Sequence, residues 1–246
     1  MTTNPDNNGK IWTKEEDTQL IKLYTENKNI IDIASIYKRT TGSINSRLIK
    51  LGLIKEYDDI KGNNHTIMFL DTETTGLPER NASPNDVDKF KNARLIELGY
   101  IINKVETVNL VKPDNFNITN TFIHGISNDM ATNEGKMIKE VLEQLYNDLM
   151  KVDTIICHNI SFDMNIILSE CYRINYNELI LLIESKNKLC TMAFGKKVLK
   201  LDKSPKLVEL YKMLYNKEVK QEHRSISDCK ICSDCYDKLH ILSEKI

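Results

Sequence analysis

Long hydrophobic runs are missing from this sequence. The longest uninterrupted ones, such as LILLI at residues 179–183, are far too short to cross a bilayer, which takes roughly 20 apolar residues. The opening residues, MTTNPDNNGK, also lack the apolar core that a signal peptide needs. We therefore expect an intracellular, soluble protein of the cytoplasm or nucleus with no membrane partner.

An excess of charge of either sign is missing too. The chain has 34 basic and 35 acidic side chains, so its formal net charge is −1, which neither favours nor excludes a nucleic-acid partner. Internal repeats are also lacking, and 246 residues suffice for one medium domain and a small one. Because no export signal is present, the six cysteines are expected to stay free thiols.

The first 65 residues divide into three parts. Residues 1–10 are polar and aperiodic, which predicts a disordered tail. Residues 11–55 carry three short apolar-periodic segments, with the capping box TKEE before the first and Gly52 after the third, and the first is expected to bury Leu20, Ile21, Leu23 and Tyr24 on one face. They predict a small all-α domain of three helices, in the pattern of a helix-turn-helix module. The polar residues 56–65 are predicted to be a linker.

Strand and helix patterns alternate over residues 66–246. The predicted strands are TIMFL (66–70), RLIELGYII (94–102), TVNLV (107–111), DTIICH (153–158) and KLCTM (188–192). The predicted helices cover 135–151, 161–173, 204–215 and 225–242. This alternation predicts an α/β domain with a mixed, partly parallel sheet flanked by helices.

Two carboxylates end the first predicted strand, in DTETTGL at residues 71–77. Side chains at i and i+2 of a strand share a face, so Asp71 and Glu73 are expected to project together. The pair alone is equally compatible with a polar surface loop. If the two acids share a cation, their hard oxygen atoms suit Mg²⁺ or Mn²⁺.

Two further segments place acids at the starts of predicted helices. Asp163 stands in HNISFD after a predicted strand, and His223 stands five residues before Asp228 in HRSISD. Each acid alone could be there because the helix dipole favours it. Together, the acids and a histidine form the pattern that two-metal phosphodiester hydrolysis needs.

These segments resemble the three sequence blocks of DnaQ-like 3′–5′ exonucleases of the DEDDh type, which have a ribonuclease-H-like α/β fold. The resemblance covers about residues 66–240 and includes IHGIS at 123–127, while SPKLVELYKMLYNKEV is most similar to TREX-type members. It implies two divalent cations, Mg²⁺ or Mn²⁺, held by four carboxylates: Asp71, Glu73, Asp163 and Asp228. It implies that His223 is the general base, carried toward the site by a mobile serine-rich segment.

The same resemblance implies a pocket for the terminal nucleotide. The backbone at Thr74 and Thr75 is expected to meet the sugar, and Leu77 to wedge against a base. The other residues expected to line the pocket are His124, Asn159 and Phe162.

The N-terminal segment, with its opening WTKEED, resembles Myb/SANT-type domains, although Trp12 is the only tryptophan of the chain. From Lys28 to Lys55 there are six basic residues and one acid, Asp32. This excess predicts contacts to DNA phosphates or base edges, and the residues expected to make them are Lys38, Arg39, Arg47 and Lys50. A module that binds a protein is the alternative.

The sequence thus predicts a metal-dependent 3′–5′ exonuclease acting on DNA. The alternatives are an exoribonuclease of the same family, a nuclease recruited through a protein partner, and an inactive nuclease fold that only binds. A homodimer, as in TREX-type members, is compatible with the sequence but not required. The cysteines of CKICSDC (Cys229, Cys232 and Cys235) are expected to be small buried residues of the last helix, with a structural zinc site as the alternative.

Overall fold

A computed structural model describes residues 7, 10–26, 28, 30–39, 41–53 and 65–244. The chain divides into two compact units: residues 1–65 with Leu181–Asn187, and Thr66–Ile180 with Lys188–Ile246. The predicted tail (1–10) and linker (56–65) lie outside the described residues, apart from residues 7, 10 and 65. Among the described residues, no helix has both the length and the apolar character to span a bilayer.

Three helices lie in the first unit: α1 (Lys14–Thr25), α2 (Ile30–Tyr37) and α3 (Thr41–Lys50). The predicted capping box opens α1, since the amide of Glu16 donates to Thr13 Oγ1 at 3.2 Å and the amide of Thr13 donates to Glu16 Oε2 at 2.8 Å. Gly52 follows α3 with a φ of +72°, as expected of a helix stop.

The side chains between these helices form a small apolar core: Leu20, Ile33, Ala34, Tyr37, Ile44 and Leu48. Ile21, which the sequence pattern placed on the buried face of the first helix, is instead 37% exposed. Its neighbour Leu20 fills the interior, so the buried face is narrower than predicted. That the three helices are an independent Myb/SANT-like domain stays a prediction.

The second unit contains a mixed five-stranded sheet, which confirms the predicted fold class. Its strands are β1 (Ile67–Thr74), β2 (Leu95–Ile102), β3 (Val105–Leu110), β4 (Thr154–Cys157) and β5 (Asn187–Cys190), in the order β3-β2-β1-β4-β5. β1 pairs antiparallel with β2 and parallel with β4, and β2 pairs antiparallel with β3. The carboxyl ends of β1 and β4 therefore lie at the same edge of the sheet.

Helices flank this sheet, and the helix at Asn177–Ser185 is divided between the two units at Leu181. A 3₁₀ turn spans Val87–Phe90, and the α-helices are α4 (Thr121–His124), α5 (Asn128–Glu134), α6 (Ile138–Leu149), α7 (Ile160–Arg173), α8 (Asn177–Ser185), α9 (Thr191–Val198), α10 (Leu207–Tyr215) and α11 (Ser225–Ser243). Of these, α4, α5, α8 and α9 were not predicted. The predicted strand 188–192 ends early because Thr191, whose hydroxyl donates to the carbonyl of Cys157, begins α9.

Helix α11 packs on the strand that carries the first two acids. The ring of Tyr236 lies 5.7 Å from that of Phe69 on β1, and Cys229 Sγ donates to the carbonyl of Gly99 at 3.4 Å. All six cysteines are free thiols, and the three on α11 are buried. The expectation that they are small packing residues is confirmed.

A buried ion pair connects β2 to α7. Arg94 Nε donates to Glu170 Oε1 at 2.7 Å, and the Glu170 side chain is 1% exposed. The amide of Leu95 also donates to this carboxylate at 3.3 Å. Breaking such a pair would leave a buried charge without compensation. The pair therefore holds α7 in place against the start of β2.

Replacing this carboxylate should destabilise the second unit. We expect Glu170→Ala to lower the free energy of unfolding by about 3–5 kcal/mol, because Arg94 stays buried without its partner. Urea denaturation measures the loss. The control is Glu143→Gln, which breaks an exposed pair with Lys139 and should cost less than about 1 kcal/mol. Equal stabilities of the two variants would contradict this view of α7.

Candidate active site

The first two acids lie where β1 ends. Asp71 is opposite Gly99 and Glu73 is opposite Glu97 on β2, so both acids lie on the same face of the strand, as predicted. Burial, followed by the charges of Asp163, Asp228 and Glu73, raises the pKa of Asp71 well above its ordinary value. Burial and the charge of Asp228 likewise raise the pKa of Glu73 to about 8.

The third acid, Asp163, lies in the first turn of α7 and is 2% exposed. Its Oδ1 accepts two hydrogen bonds from Thr72, one from the amide at 3.0 Å and one from the hydroxyl at 2.8 Å. Burial nevertheless raises the pKa of Asp163 to about 7. Since Thr72 lies between Asp71 and Glu73 on β1, these bonds bring the third acid to the first two.

The fourth acid, Asp228, lies in the first turn of α11 and is 5% exposed. Gln221 Nε2 donates to its Oδ2, but its buried Oδ1 accepts no hydrogen bond from any of the described residues. Burial raises the pKa of Asp228. One ligand atom each from Glu73, His223 and Asp228 can be chosen so that all three lie within 4.8 Å of one another.

This arrangement suits a divalent cation. The carboxylates offer hard oxygen ligands. Burial raises the pKa values of all four acids, and for Asp71, Glu73 and Asp163 the charges of neighbouring acids raise them further. A bound cation would stabilise the ionised forms. The unpartnered Oδ1 of Asp228 is a buried acceptor without a hydrogen bond, which is costly unless something binds it.

The general-base candidate, His223, is exposed and has a φ of +50°. The serine-rich segment that the resemblance implied to be mobile belongs to α11, whose start at residue 225 was predicted. Ser225 is fully buried and begins α11, and its hydroxyl donates to Glu97 Oε1 at 2.7 Å. The segment after His223 is therefore anchored to the sheet.

The residues of the DTETTGL turn lie beside the acids. Thr74 Oγ1 donates to the carbonyl of Gly76 at 2.7 Å, and Leu77 is 75% exposed. The Thr75 amide donates to the carbonyl of Arg94 at 2.9 Å. A contact of the backbone at Thr74 and Thr75 with the sugar stays a prediction, and it would not use this amide. Leu77 is the most exposed residue of this turn.

His124 is buried at the end of α4, with 2% of its surface exposed. The amide of Ile126 donates to its Nδ1 at 3.0 Å, so the proton of the neutral ring lies on Nε2. Burial lowers the pKa of His124, which keeps the ring neutral near pH 7. Its Nε2 has no partner among the described residues and is a donor left over for a ligand.

Asn159 and Phe162 lie at the start of α7. Asn159 is exposed and has a φ of +67°, and its carbonyl accepts a hydrogen bond from the amide of Phe162 at 2.9 Å. Phe162 is half-buried and precedes Asp163 directly. Both residues thus lie next to the third acid.

One of the four N-terminal residues predicted to bind DNA is buried. Arg39 is 4% exposed, and its Nη1 donates to the carbonyls of Asn7 at 3.0 Å and Lys10 at 2.8 Å. Its guanidinium carbon lies 4.2 Å from the centre of the Trp12 ring. The prediction that Arg39 meets phosphates is therefore wrong, because its charge holds the N-terminal segment together.

Arg47 is also committed to a partner within the chain. Its guanidinium donates to both carboxylate oxygens of Asp17, with Nε lying 2.6 Å from Oδ1. Lys38 and Lys50 are exposed. Of the four residues predicted to bind DNA, these two lysines are the most accessible to solvent.

Glu97 is a residue of this region that the sequence motifs did not single out. It is fully buried and accepts hydrogen bonds from Arg224 and Ser225 of the third block. Its position in RLIELGYII, as the one acid of an apolar strand, was the signal available, because a buried acid is rare unless it is paired.

The raised pKa values predict how stability depends on pH in the metal-free protein. The acids of Glu73 and Asp163 titrate near 4.5 and 3.8 when unfolded and at about 8 and about 7 when folded. The folded state therefore binds more protons between these values, so stability should fall as the pH rises from about 4 to about 8.

Addition of Mg²⁺ or Mn²⁺ should raise the melting temperature, and more at pH 8 than at pH 6, because the cation competes with protons. Thermal unfolding with EDTA or with metal measures both effects. In Glu73→Gln the pH dependence and the metal effect should both be smaller. A melting temperature that does not change on addition of metal at either pH would contradict a cation site.

Comparison with known proteins gives one family. The model of the family described as RNase_T, Exonuclease, matches residues 68–236. This range includes α7 and most of β1 and α11, and thus all four acids and His223. No curated protein matches the chain.

Among solved structures, exonuclease I is similar in fold. One structure of exonuclease I matches with a TM-score of 0.56 and 18% identity, and E. coli exonuclease I with a dA16 oligonucleotide matches with 0.54 and 17%. The zinc-bound form of the E. coli enzyme with single-stranded DNA matches with 0.56 and 18%. Each match covers 71% of this chain but only 40% of the other. On the family match over residues 68–236, the chain belongs to the exonuclease family.

Proposed function

We propose that the protein is a metal-dependent exonuclease of the DEDDh type, which removes nucleotides from the 3′ ends of DNA. The observation that carries this proposal is the cluster of Glu73, His223 and Asp228, whose ligand atoms lie within 4.8 Å of one another. Burial raises the pKa of Asp71 and of Glu73, and Asp163 lies near enough to both for its charge to add to this effect. Membership of the exonuclease family supports the reaction class.

Four side chains would hold the metal: Asp71, Glu73, Asp163 and Asp228. Bound divalent cations supply a water of lowered pKa and neutralise the charge that develops in phosphodiester hydrolysis. Mg²⁺ and Mn²⁺ suit this purely carboxylate set. The chain contributes the geometry, because Thr72 and Gln221 hold two of the acids by hydrogen bonds.

His223 is the general base of this proposal. It is exposed at the mouth of the carboxylate cluster, and a ring nitrogen lies within 4.8 Å of oxygen atoms of Glu73 and Asp228. From there its imidazole takes a proton from the attacking water. The two neighbouring carboxylates stabilise the imidazolium that results.

Two residues near the acids position the substrate. The Nε2–H of His124 donates to an oxygen of the terminal nucleotide, which satisfies a buried donor that has no partner among the described residues. Leu77, which is 75% exposed, packs against the terminal base. Thr74, Asn159 and Phe162 complete the pocket around them.

DNA is the proposed substrate for two reasons. The similar exonuclease I structures hold dA16 and dT13 oligonucleotides. The first unit carries the exposed residues Lys38 and Lys50, which would bind DNA phosphates. The 3′–5′ direction follows from the DEDDh resemblance. A homodimer, as in TREX-type members, stays a prediction.

The carboxylates and the histidine should be essential. We expect Asp71→Ala and Asp228→Asn to lose all nuclease activity because each removes a metal ligand. His223→Ala should lower kcat by roughly 10²–10⁴-fold, the usual contribution of a general base, and should still bind Mn²⁺. The assay follows 5′-labelled single-stranded DNA in Mg²⁺ or Mn²⁺ on a gel, where a ladder of shortened products reports the direction.

The matched control is Glu106→Gln, which breaks the exposed pair of Glu106 with Lys230 on α11 and should keep parental activity. Circular dichroism checks that each variant is folded. Parental activity in Asp71→Ala would refute the site. Faster hydrolysis of RNA than of DNA would favour the exoribonuclease instead.

The N-terminal lysines should contribute to DNA affinity. We expect the full-length variant Lys38→Gln/Lys50→Gln to bind DNA more weakly, with the slope of log affinity against log salt reduced by about 1 for each phosphate that the variant no longer neutralises. Fluorescence anisotropy at several salt concentrations measures this slope. The control Lys139→Gln removes an exposed lysine of the second unit. An unchanged slope in the double variant would point to a protein partner.

A further inference from the structure

Glu97 binds both residues that follow the general-base candidate. Its side chain is fully buried in β2. Oε1 accepts hydrogen bonds from the amide of Ser225 at 2.9 Å and from its hydroxyl at 2.7 Å. Oε2 accepts from Arg224 Nε at 2.9 Å and from Arg224 Nη2. One carboxylate thus anchors the junction between His223 and α11 to the sheet.

The backbone at this junction needs such an anchor. His223 has a φ of +50°, a left-handed conformation that residues other than glycine adopt rarely. Such a conformation persists only where the surrounding structure determines it. The hydrogen bonds from Arg224 and Ser225 to Glu97 fix the backbone on the C-terminal side of His223.

A second feature of β2, the glycine at position 99, leaves room for the junction between His223 and α11. Gly99 lies two residues after Glu97, on the same face of the strand. A Cβ at Gly99 would lie 2.4 Å from Ser225 Oγ and 2.9 Å from the amide nitrogen of Ile226. The missing side chain therefore makes the room in which the start of α11 lies against the sheet.

We propose that Glu97 and Arg224 form a positioning pair that sets His223 at the carboxylate cluster. The pair contributes to turnover through the place of His223 and binds neither metal nor substrate itself. Its carboxylate oxygens are occupied by Arg224 and Ser225, and it lies opposite Glu73 on the neighbouring strand. This inference rests on the proposed exonuclease function.

A purely structural ion pair is the competing explanation, and a double variant separates the two. Glu97→Gln or Arg224→Gln alone leaves a charge without its partner, whereas Glu97→Gln/Arg224→Gln leaves none. If the pair only stabilises the fold, the double variant should regain both melting temperature and kcat. If the pair positions His223, the double variant should regain melting temperature while kcat stays low.

The experiment measures kcat, KM and Mn²⁺ affinity of the full chain on end-labelled single-stranded DNA. We expect Glu97→Gln to lower kcat on the order of 10- to 100-fold, as is usual for a supporting partner, with KM and Mn²⁺ affinity unchanged. Arg224→Lys keeps the positive charge beside Glu97, so its kcat should lie between the kcat of Arg224→Gln and that of the parental protein. Should Glu97→Gln fail to fold, Arg224→Lys and the double variant carry the test. Glu106→Gln is the matched control, because Glu106 also binds a residue of α11.

A cycle with His223→Ala tests the route of the effect. If Glu97 acts through His223, Glu97→Gln should have no further effect in the His223→Ala background. A loss of equal size in both backgrounds would overturn the inference, and so would a double variant whose kcat recovers with its melting temperature.

The place of His223 is also measurable without turnover. Bound Mn²⁺ should broaden the imidazole NMR signals of His223 in the parental protein and much less in Glu97→Gln. Equal broadening would overturn the inference. A parental protein with this pattern but no nuclease activity would refute the proposed function and the contribution of the pair to turnover, while the placement of His223 by the pair would stand.

Discussion

The second unit is organised around negative charge that its own fold concentrates. Asp71, Glu73, Asp163 and Asp228 lie near one another at the carboxyl edge of the sheet, where burial and repulsion raise all four pKa values. Because the acids are held in place, only protonation or a bound cation can lower the repulsion between their negative charges. The hydrogen bond from the Thr72 hydroxyl to Asp163, at 2.8 Å, shows how directly the chain enforces this proximity. The architecture thus concentrates negative charge that a divalent cation would neutralise.

The order of the strands is what allows distant acids to meet. β1 lies beside β4 in parallel, so the end of β1 that carries Asp71 adjoins the connection from β4 to α7. Asp163 lies in the first turn of α7. Helix α11 packs on the face of β1 that carries Phe69 and Asp71, where Tyr236 contacts Phe69, and brings Asp228 to the same edge. Helix N-termini favour carboxylates, so both helices contribute an acid where the dipole partly offsets its charge.

Local patterns predicted much of this, and partners distant in sequence explain the rest. The spacing of Asp71 and Glu73 was enough to place both on one face, because strand geometry is local. Arg39 was misjudged because a count of basic residues does not show that its guanidinium is buried against backbone carbonyls. Glu97 was overlooked since its partner Ser225 lies 128 positions further along the chain. Propensity likewise did not reveal that Thr191 begins a helix rather than continuing a strand.

The partner of each acid, more than the number of acids, decides which carboxylates are open to a cation. Glu97 is as deeply buried as Asp163 and lies opposite Glu73, and its charge raises the pKa of Glu73 while that of Arg224 lowers it. The guanidinium therefore offsets the fifth acid within the same region. Asp228 differs, because its Oδ1 has no protein partner among the described residues. An acid whose oxygen atoms are all bonded serves as an anchor, and one with an unpartnered oxygen can serve as a ligand.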